Sequence, residues 1–168
     1  QYQLQQTDFK SPATEIGSGN LYSVSMPIGV EFNIAMSNAQ FLFTKNFNSK
    51  VSTIFRAESS SMVVPNTSYV PALVAFANYQ FDLAELYARK FRKKLYEEKG
   101  TFSNVSFIRT IYDQVQRDFM NQITISAKET DMGRKEEEMA QLHQAVKEEI
   151  ATLADYCKEC KISKKKKK

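Results

Sequence analysis

The sequence predicts a mainly α-helical protein with one domain, and three observations lead to this prediction. The chain has 168 residues, which is long enough to bury a core without disulfide crosslinks. It contains only five Gly and four Pro, so long elements are favoured over a turn-rich β-sandwich. Several stretches repeat apolar residues every three or four positions, which is the spacing of one helix face. We expect a bundle of three or four helices built on an antiparallel helical hairpin, preceded by an extended or short β segment.

Residues 1–20 are mostly polar and include Pro12, Gly17 and Gly19, a composition typical of a flexible leader. The chain begins with Gln1 instead of Met, as an excised fragment would, or a mature protein whose signal peptide has been removed. We expect the second case, with the protein periplasmic, envelope-associated or secreted. No stretch has the ~18–20 consecutive apolar residues that span a bilayer, so membrane contact is expected to be peripheral at most.

Residues 21–56 carry two competing patterns. Every even position from Tyr22 to Met36 is apolar, which is the alternation of a strand with one buried face. From Met36 onward, apolar residues recur at three or four positions, as in a helix. We predict an extended segment over 21–31 and a helix over 32–56, and the alternative is two or three antiparallel strands. The residues that favour the helix are Met36, Ala39, Phe43, Phe47, Val51 and Ile54.

The clearest helix is predicted over 69–98. Ser68 can cap its first turn, and Pro71 suits that turn because a helix leaves its first N–H groups unpaired. Gly100 is placed to end it. The stripe that this helix should bury consists of Leu73, Ala77, Phe81, Ala84, Ala88, Phe91 and Leu95.

The next helix is predicted over 103–128, with Ser103 as a suitable N-cap. Its connection to the preceding helix around Gly100 is short, which favours an antiparallel hairpin. Its apolar stripe consists of Val105, Ile108, Tyr112, Val115, Phe119, Ile123 and Ser126.

A last helix is predicted over 134–160, with an apolar stripe that runs from Leu142 to Cys160. We interpret residues 21–160 as one helical domain and residues 161–168 as a basic tail.

Cys157 and Cys160 are the two cysteines of the chain. Their spacing places both thiols on one face of a helix. A redox-active pair is disfavoured because the C-terminus of a helix raises the pKa of a thiol. A zinc site needs about four ligands, and His143 is the one other thiol or imidazole. We expect either a local disulfide or two cysteines packed as small apolar groups.

The sequence from Tyr156 to Lys161, Tyr-Cys-Lys-Glu-Cys-Lys, resembles the haem-attachment end of the four-helix cytochromes c-prime. The resemblance covers about ten residues. It implies a haem bound through both thiols and an iron-ligating histidine directly after the second cysteine. Lys161 occupies that position here. We therefore expect no cofactor.

His143 is the only histidine. Di-iron helical proteins use Glu-x-x-His pairs, but Ala140 stands three residues before His143. A lone histidine on a charged helix is expected to be solvated. Asp82 and Glu85 flank the apolar start of their helix and are the carboxylates considered for acid–base chemistry, although no pair of carboxylates stands out in an apolar setting. The sequence has no Gly-rich phosphate loop or other common catalytic motif, so we expect no enzyme, no catalytic residues and no metal.

Basic residues are concentrated in a cluster around Phe91 and in the tail. Without the five lysines at 164–168, 18 basic residues stand against 19 acidic ones, so nucleic-acid binding is not favoured. The cluster either contacts an anionic partner, or is a solvated face near a helix C-terminus, or pairs with the acidic last helix. The candidate contact residues are Arg89, Lys90, Arg92, Lys93, Lys94, Lys164, Lys165, Lys166, Lys167 and Lys168.

The predicted function is a non-catalytic structural or interaction module, an accessory subunit of an exported or cell-envelope assembly with a protein partner. The strand around 22–32 and one helix face are the predicted docking surfaces, because an exposed strand can add to a partner's sheet. One alternative is a small-ligand or cofactor carrier with its site inside the helical bundle. Another is an anionic-surface binder that uses the basic cluster and the tail. A homo-oligomer is compatible with each.

Overall fold

The fold is that of a computed structural model, which describes residues 2–33, 35–100 and 105–162. The chain is mainly helical, with 58% of the described residues in helices and small sheets in the N-terminal part. The helices are α1 (Asn38–Phe43), α2 (Val70–Glu98), α3 (Ser106–Glu129) and α4 (Glu136–Thr152). The strands are β1 (Glu15–Ile16), β2 (Ser23–Ser25), β3 (Ile28–Phe32), β4 (Val51–Phe55) and β5 (Ser61–Val64).

The strands form two small sheets in the part of the chain that the structure describes. β5 lies between β1, with which it is parallel, and β2, with which it is antiparallel. β3 and β4 form an antiparallel pair that begins with Ile28 opposite Phe55. Arg56 donates its N–H to Pro27 O at 3.3 Å, so the β3–β4 pair continues towards the β2–β5 pair.

The prediction of one helix over 32–56 is wrong. α1 occupies only six of these residues, and β4 occupies the last part of the range. The β-branched residues Val51, Thr53 and Ile54 favour a strand because a helix restricts their rotamers. The extended segment predicted over 21–31 contains β2 and most of β3, so the alternative of antiparallel strands describes this region better.

The leader predicted to be flexible packs against α2 instead. Leu4 and Phe9 are 2% and 4% exposed and join a core cluster with Leu73 of α2. The side chain of Asn78 accepts the N–H of Leu4 at 2.7 Å and donates to Leu4 O at 2.9 Å. Two apolar residues are thus enough to anchor a segment whose composition is otherwise polar.

α2 is the central element of the fold, because it contacts α3, α4 and the strands β2, β3 and β4. Its 29 residues nearly coincide with the range predicted from the sequence. Tyr69 precedes the helix in place of the expected Ser68, and Pro71 lies in the first turn. Because neighbours cover α2 on several sides, it buries more than one stripe. Its buried residues are Leu73, Phe76, Ala77, Tyr79, Gln80, Asp82, Leu83, Ala84, Leu86, Ala88, Phe91, Arg92 and Leu95.

α3 runs antiparallel to α2. Ring contacts join Phe91 to Tyr112 and Tyr87 to Phe119, so positions rise along α3 as they fall along α2. This is the geometry of the predicted hairpin. The predicted N-cap Ser103 lies outside the described residues.

α4 runs parallel to α2 and packs on it. Asp82 contacts His143 and, two turns later, Lys90 contacts Glu149, so positions rise together along both helices. α3 and α4 therefore flank α2 from different sides, and their contact with each other is smaller.

A tight turn connects α3 to α4. Asp131, Met132 and Gly133 have positive φ angles of 52°, 50° and 92°. A Cβ at Gly133 would collide with the carbonyl of Ala72, so this position requires glycine. The turn lies against the first turn of α2, which places the start of α4 beside the start of α2.

α4 ends earlier than the predicted 134–160. It ends at Thr152, and a single 3₁₀ turn follows. Arg89 of α2 donates to Ile150 O at 3.1 Å and to Leu153 O at 3.3 Å. Carbonyls at a helix C-terminus lack their usual helical partners, so this side chain stabilises an end that the sequence pattern did not reveal.

Candidate functional site

The basic cluster predicted on α2 is partly internal. Arg92 is 1% exposed. Its Nη1 donates to Glu85 Oε1 at 3.1 Å and to Tyr156 O at 2.9 Å, and its Nη2 donates to Val51 O at 2.9 Å. Burial lowers the pKa of Arg92, and the Glu85 carboxylate opposes that shift. Arg92 thus joins β4 and the C-terminal segment to α2, and in this structure its side chain is not accessible for the predicted partner contact.

Arg89 is the second member of the cluster that acts inside the fold. Its Nε lies 2.8 Å from Glu85 Oε1, and its side chain is 16% exposed. The same guanidinium holds the two carbonyls at the end of α4. A cation in this position interacts favourably with the helix dipole. Contact with a partner would require these bonds to break, so Arg89 is also unsuited to the predicted role.

The lysines of the cluster lie nearer the surface. Lys90 Nζ is 2.9 Å from Glu149 Oε1 on α4, which is the pairing with the acidic last helix that the sequence suggested as one possibility. Lys93 Nζ is 3.9 Å from Glu97 Oε1, and Lys94 is exposed. Within the cluster, the lysines rather than the arginines therefore remain accessible to an anionic partner.

The structure joins Cys157 to Cys160 in a disulfide, beyond the end of α4. The two sulfurs therefore lie in a turn and not on a helix face as predicted. Cys160 O accepts hydrogen bonds from Nδ2 of Asn48 at 3.0 Å and of Asn46 at 3.3 Å, which attaches the disulfide turn to the segment between α1 and β4. Covalent haem attachment consumes free thiols, and the disulfide form offers none.

α1 is held in one position by its own cap and by the core. Ser37 Oγ accepts the N–H of Gln40 at 3.2 Å, and Gln40 Oε1 accepts the N–H of Ser37 at 2.9 Å, which is a capping box. Phe41 is 5% exposed and packs against the ring of Phe47. Lys99 Nζ lies 4.8 Å from the centroid of the Phe41 ring. These contacts fix which residues of α1 face solvent.

α1 presents two apolar side chains to solvent. Leu42 and Phe43 are 53% and 90% exposed, and we refer to this pair as the α1 face. Lys45 follows them and is also exposed. Asn46, which follows α1, contacts Cys160, so the last described residues of the chain lie near α1. The tail lysines at 164–168 lie outside the described residues.

The α1 face was missed in the sequence, although a signal was present. Ser37 and Gln40 have the spacing of a capping box. Phe41, Leu42 and Phe43 then follow as three successive large apolar residues. Neighbouring residues of a helix point about 100° apart, so three in a row cannot all face one core.

The strand predicted to dock a partner is covered along part of its edge. Asn33 donates its N–H to Lys50 O at 2.9 Å. In this register, the backbone N–H and C=O groups of the odd-numbered residues of β3 bond to β4, and those of the even-numbered residues point away from β4. On that outer edge, Val30 O accepts from Tyr112 Oη and Gln116 Nε2, both at 2.9 Å. α3 therefore covers the centre of β3, and a partner strand cannot bond there.

His143 is not solvated as predicted but pairs with Asp82 between α4 and α2. Its Nε2 lies 2.7 Å from Asp82 Oδ2, and the two side chains are 17% and 11% exposed. The ring of Tyr79 meets the imidazole edge-on, with 6.2 Å between centroids. The pair is separated by 61 positions in the sequence, so no local pattern could reveal it.

His143 lines two cavities. A polar cavity of about 330 Å³ lies on one side, and a more apolar cavity of about 380 Å³ lies on the other. The polar cavity is lined in part by Gln3, Asn78, Asp82 and Lys147. The apolar cavity is lined in part by Ala72, Ala75, Glu136, Met139 and Ala140.

Within residues 2–33, 35–100 and 105–162, no group of three or more His, Cys, Asp or Glu side chains is placed to hold a metal ion. No helix in these ranges combines the length and apolar character needed to cross a membrane. No protein-family model, curated protein or solved structure matches the chain.

Proposed function

We propose that this protein is a non-catalytic interaction module, an accessory subunit of an exported or envelope assembly, which binds a partner protein through the α1 face. The observation that carries the proposal is the ring of Phe43, 90% exposed on a helix whose position is fixed. Burial of apolar surface contributes about 25 cal/mol per Å², so binding would stabilise this ring. Aromatic side chains of this kind often dominate the binding free energy of protein interfaces.

The elements behind α1 support the proposal because they keep the face rigid. A rotation of α1 would expose Phe41 and break its contacts with Phe47 and Lys99. A surface that is already ordered loses less conformational entropy on binding. The helix bundle predicted from the sequence belongs to this proposal, with α2, α3 and α4 as the scaffold that carries α1.

The partner that fits the α1 face is a protein with an apolar pocket bordered by carboxylates. Lys45 is exposed next to Phe43. Positive charge beside an apolar centre favours an acidic rim on the partner and steers association. We expect binding to weaken as salt rises, while the apolar centre supplies most of the affinity.

The test begins with cross-linking in the native host and identification of the protein bound to α1. That protein is then purified, and its Kd is measured for the wild type and for Phe43→Ala. We expect Phe43→Ala to weaken binding about 30-fold, which corresponds to a loss of ~2 kcal/mol at a central aromatic residue.

The matched control is Met120→Ala, since Met120 is 55% exposed on α3, away from the α1 face. This variant should bind the partner with the wild-type Kd. An unchanged Kd for Phe43→Ala would overturn the proposal. So would a purified protein that associates through the α1 face only with itself or with anionic lipid vesicles.

A further inference from the structure

Asp82 is a buried carboxylate with spare hydrogen-bonding capacity. The residue is 8% exposed, and among the described residues its one hydrogen bond is the 2.7 Å contact of Oδ2 with His143 Nε2. A carboxylate can accept several donors. The oxygen Oδ1 is therefore available to a donor that the described part of the chain does not supply.

Space for such a donor lies directly beside the pair. Asp82 and His143 both line the polar cavity, and His143 also lines the apolar cavity. The two volumes, about 330 and 380 Å³, lie at the lower end of the range for small-molecule sites, about 300–1,000 Å³. Because His143 lines both cavities, apolar surface at Ala72 and Met139 lies on the other side of this side chain from Asp82.

The wall of the polar cavity is held in place by hydrogen bonds and packing between the N-terminal segment, α2 and α4. The side chain of Asn78 bonds to both backbone groups of Leu4: it accepts the N–H at 2.7 Å and donates to the carbonyl at 2.9 Å. Gln3, the preceding residue, lines the cavity together with Asn78. The ring of Tyr79 packs edge-on against His143 and limits its rotation. The site is thus assembled from the leader, α2 and α4.

The charges around the cavities favour a cation. Two carboxylates, Asp82 and Glu136, and one ammonium, Lys147, line them. Glu136 and Lys147 are exposed, so water screens both. Asp82 is buried, and its charge acts at short range in a medium of lower dielectric constant. The strongest local field is therefore negative and lies at Asp82.

We propose that these two cavities form a binding site for a small primary amine with a short alkyl chain. The ammonium donates to Asp82, and the chain lies along the apolar wall formed by Ala72, Ala75 and Met139. His143 holds Asp82 in place through its Nε2. This site is separate from the α1 face, so the proposal does not rest on the proposed docking function.

The single histidine of the chain makes the test simple, because any imidazole signal in an NMR spectrum comes from His143. The full-length protein is titrated with hexylamine at about pH 8, where an alkylamine is protonated. We expect a saturable shift of the His143 signals. Asp82→Asn should weaken binding at least tenfold, roughly what loss of a charged acceptor costs.

Three further measurements keep the outcome decisive. Ala140→Leu fills the apolar cavity and should reduce the preference for hexylamine over propylamine, without touching Asp82. Glu148→Gln, on the exposed side of α4, should leave binding unchanged. Hexanoate, which has the same chain length and the opposite charge, should give no saturable shift. Equal shifts with hexanoate and hexylamine, or an unchanged Kd for a folded Asp82→Asn, would overturn the proposal.

Discussion

Arg92 of the basic cluster and Phe43 of the α1 face both lie by the C-terminal half of α2, yet the charged side chain is buried and the apolar one is exposed. Arg92 carries a charge and is 1% exposed, whereas Phe43 is an apolar ring and is 90% exposed. The two regions are close, since Lys99 of the α2 C-terminus contacts the ring of Phe41. Residue type alone therefore does not decide which of the two side chains is exposed.

The difference follows from the partners that the chain itself provides. Arg92 finds a carboxylate and two backbone carbonyls, and a buried charge is tolerated when it is paired and hydrogen-bonded. The Phe43 ring finds no such compensation, because the core position on α1 is already taken by Phe41. A charged residue with internal partners thus acts in folding, while an apolar residue without them stays exposed to solvent, which is the basis of the proposed docking function.

The largest expected effect is the loss of stability caused by replacing Arg92. Arg92→Ala leaves the carbonyls of Val51 and Tyr156 without this donor and removes one of the two arginines that contact Glu85, so the free energy of unfolding should fall by about 3–5 kcal/mol. Lys94→Ala, in the same cluster but exposed, should change it by less than about 0.5 kcal/mol. Urea denaturation of both variants measures the difference. Similar losses for the two would mean that the hydrogen bonds of Arg92 to Glu85, Val51 and Tyr156 do not stabilise the fold.

The second prediction separates the two rings of α1. Phe41→Ala removes a ring that is 5% exposed and should lower the free energy of unfolding by about 3 kcal/mol. Phe43→Ala removes a ring that contacts solvent and should change it by less than about 0.5 kcal/mol. Thermal or urea unfolding of both proteins is the measurement. A large loss for Phe43→Ala would indicate that the ring packs within the chain and would weaken its assignment to a partner.

Long periodic helices could be predicted from the sequence, because their signal is local and repeated. α2 differs from the predicted 69–98 by one residue at its start, and α3 lies within three residues of the predicted 103–128 at its start. Both carry apolar residues at helical spacing over many turns, so one deviating residue hardly changes the pattern. The mainly helical class follows from these two elements.

The remaining features depend on contacts between distant parts of the chain. The region around α1 mixes two periods because Phe41 and Phe47 reach one core from a short helix and a separate turn. The end of α4 depends on Arg89, about 60 positions away, and the partner of His143 is 61 positions away. Sequence spacing gives the face of a helix but not the side chain that meets it, so the sites were less predictable than the helices.

A third prediction concerns the disulfide turn, which supplies the carbonyl of Tyr156 to Arg92. Replacing Cys157 and Cys160 by Ser removes a crosslink that closes a very short loop, so the free energy of unfolding should fall by about 2 kcal/mol. In hydrogen exchange, protection should decrease in the turn that follows α4 more than in α1. Unchanged exchange in the turn would show that the contacts of Asn48 and Arg92 hold it without the crosslink.

The smallest expected effect uses a pH change to compare an internal with an exposed hydroxyl. Tyr22 Oη donates to Met132 O at 3.0 Å, and burial raises the pKa of Tyr22 to about 12. An unfolded tyrosine titrates near pH 10. Between these values the folded state holds a proton that the unfolded state has lost, so the contribution of Tyr22 to stability is complete below pH 10 and is lost as the pH rises through about 12.

Tyr22→Phe should therefore be less stable than the wild type by about 1 kcal/mol near neutral pH, because it lacks this hydrogen bond. The difference should shrink as the pH rises from about 10 to 12, since only the wild type has the group that ionises. Urea denaturation at several pH values measures it. Tyr2→Phe is the matched control, because the Tyr2 hydroxyl bonds to Asp8 at an exposed position and should contribute little at any pH. A constant difference between wild type and Tyr22→Phe across this range would show that Tyr22 ionises equally in the folded and unfolded states, and that its ring belongs with the exposed side chains.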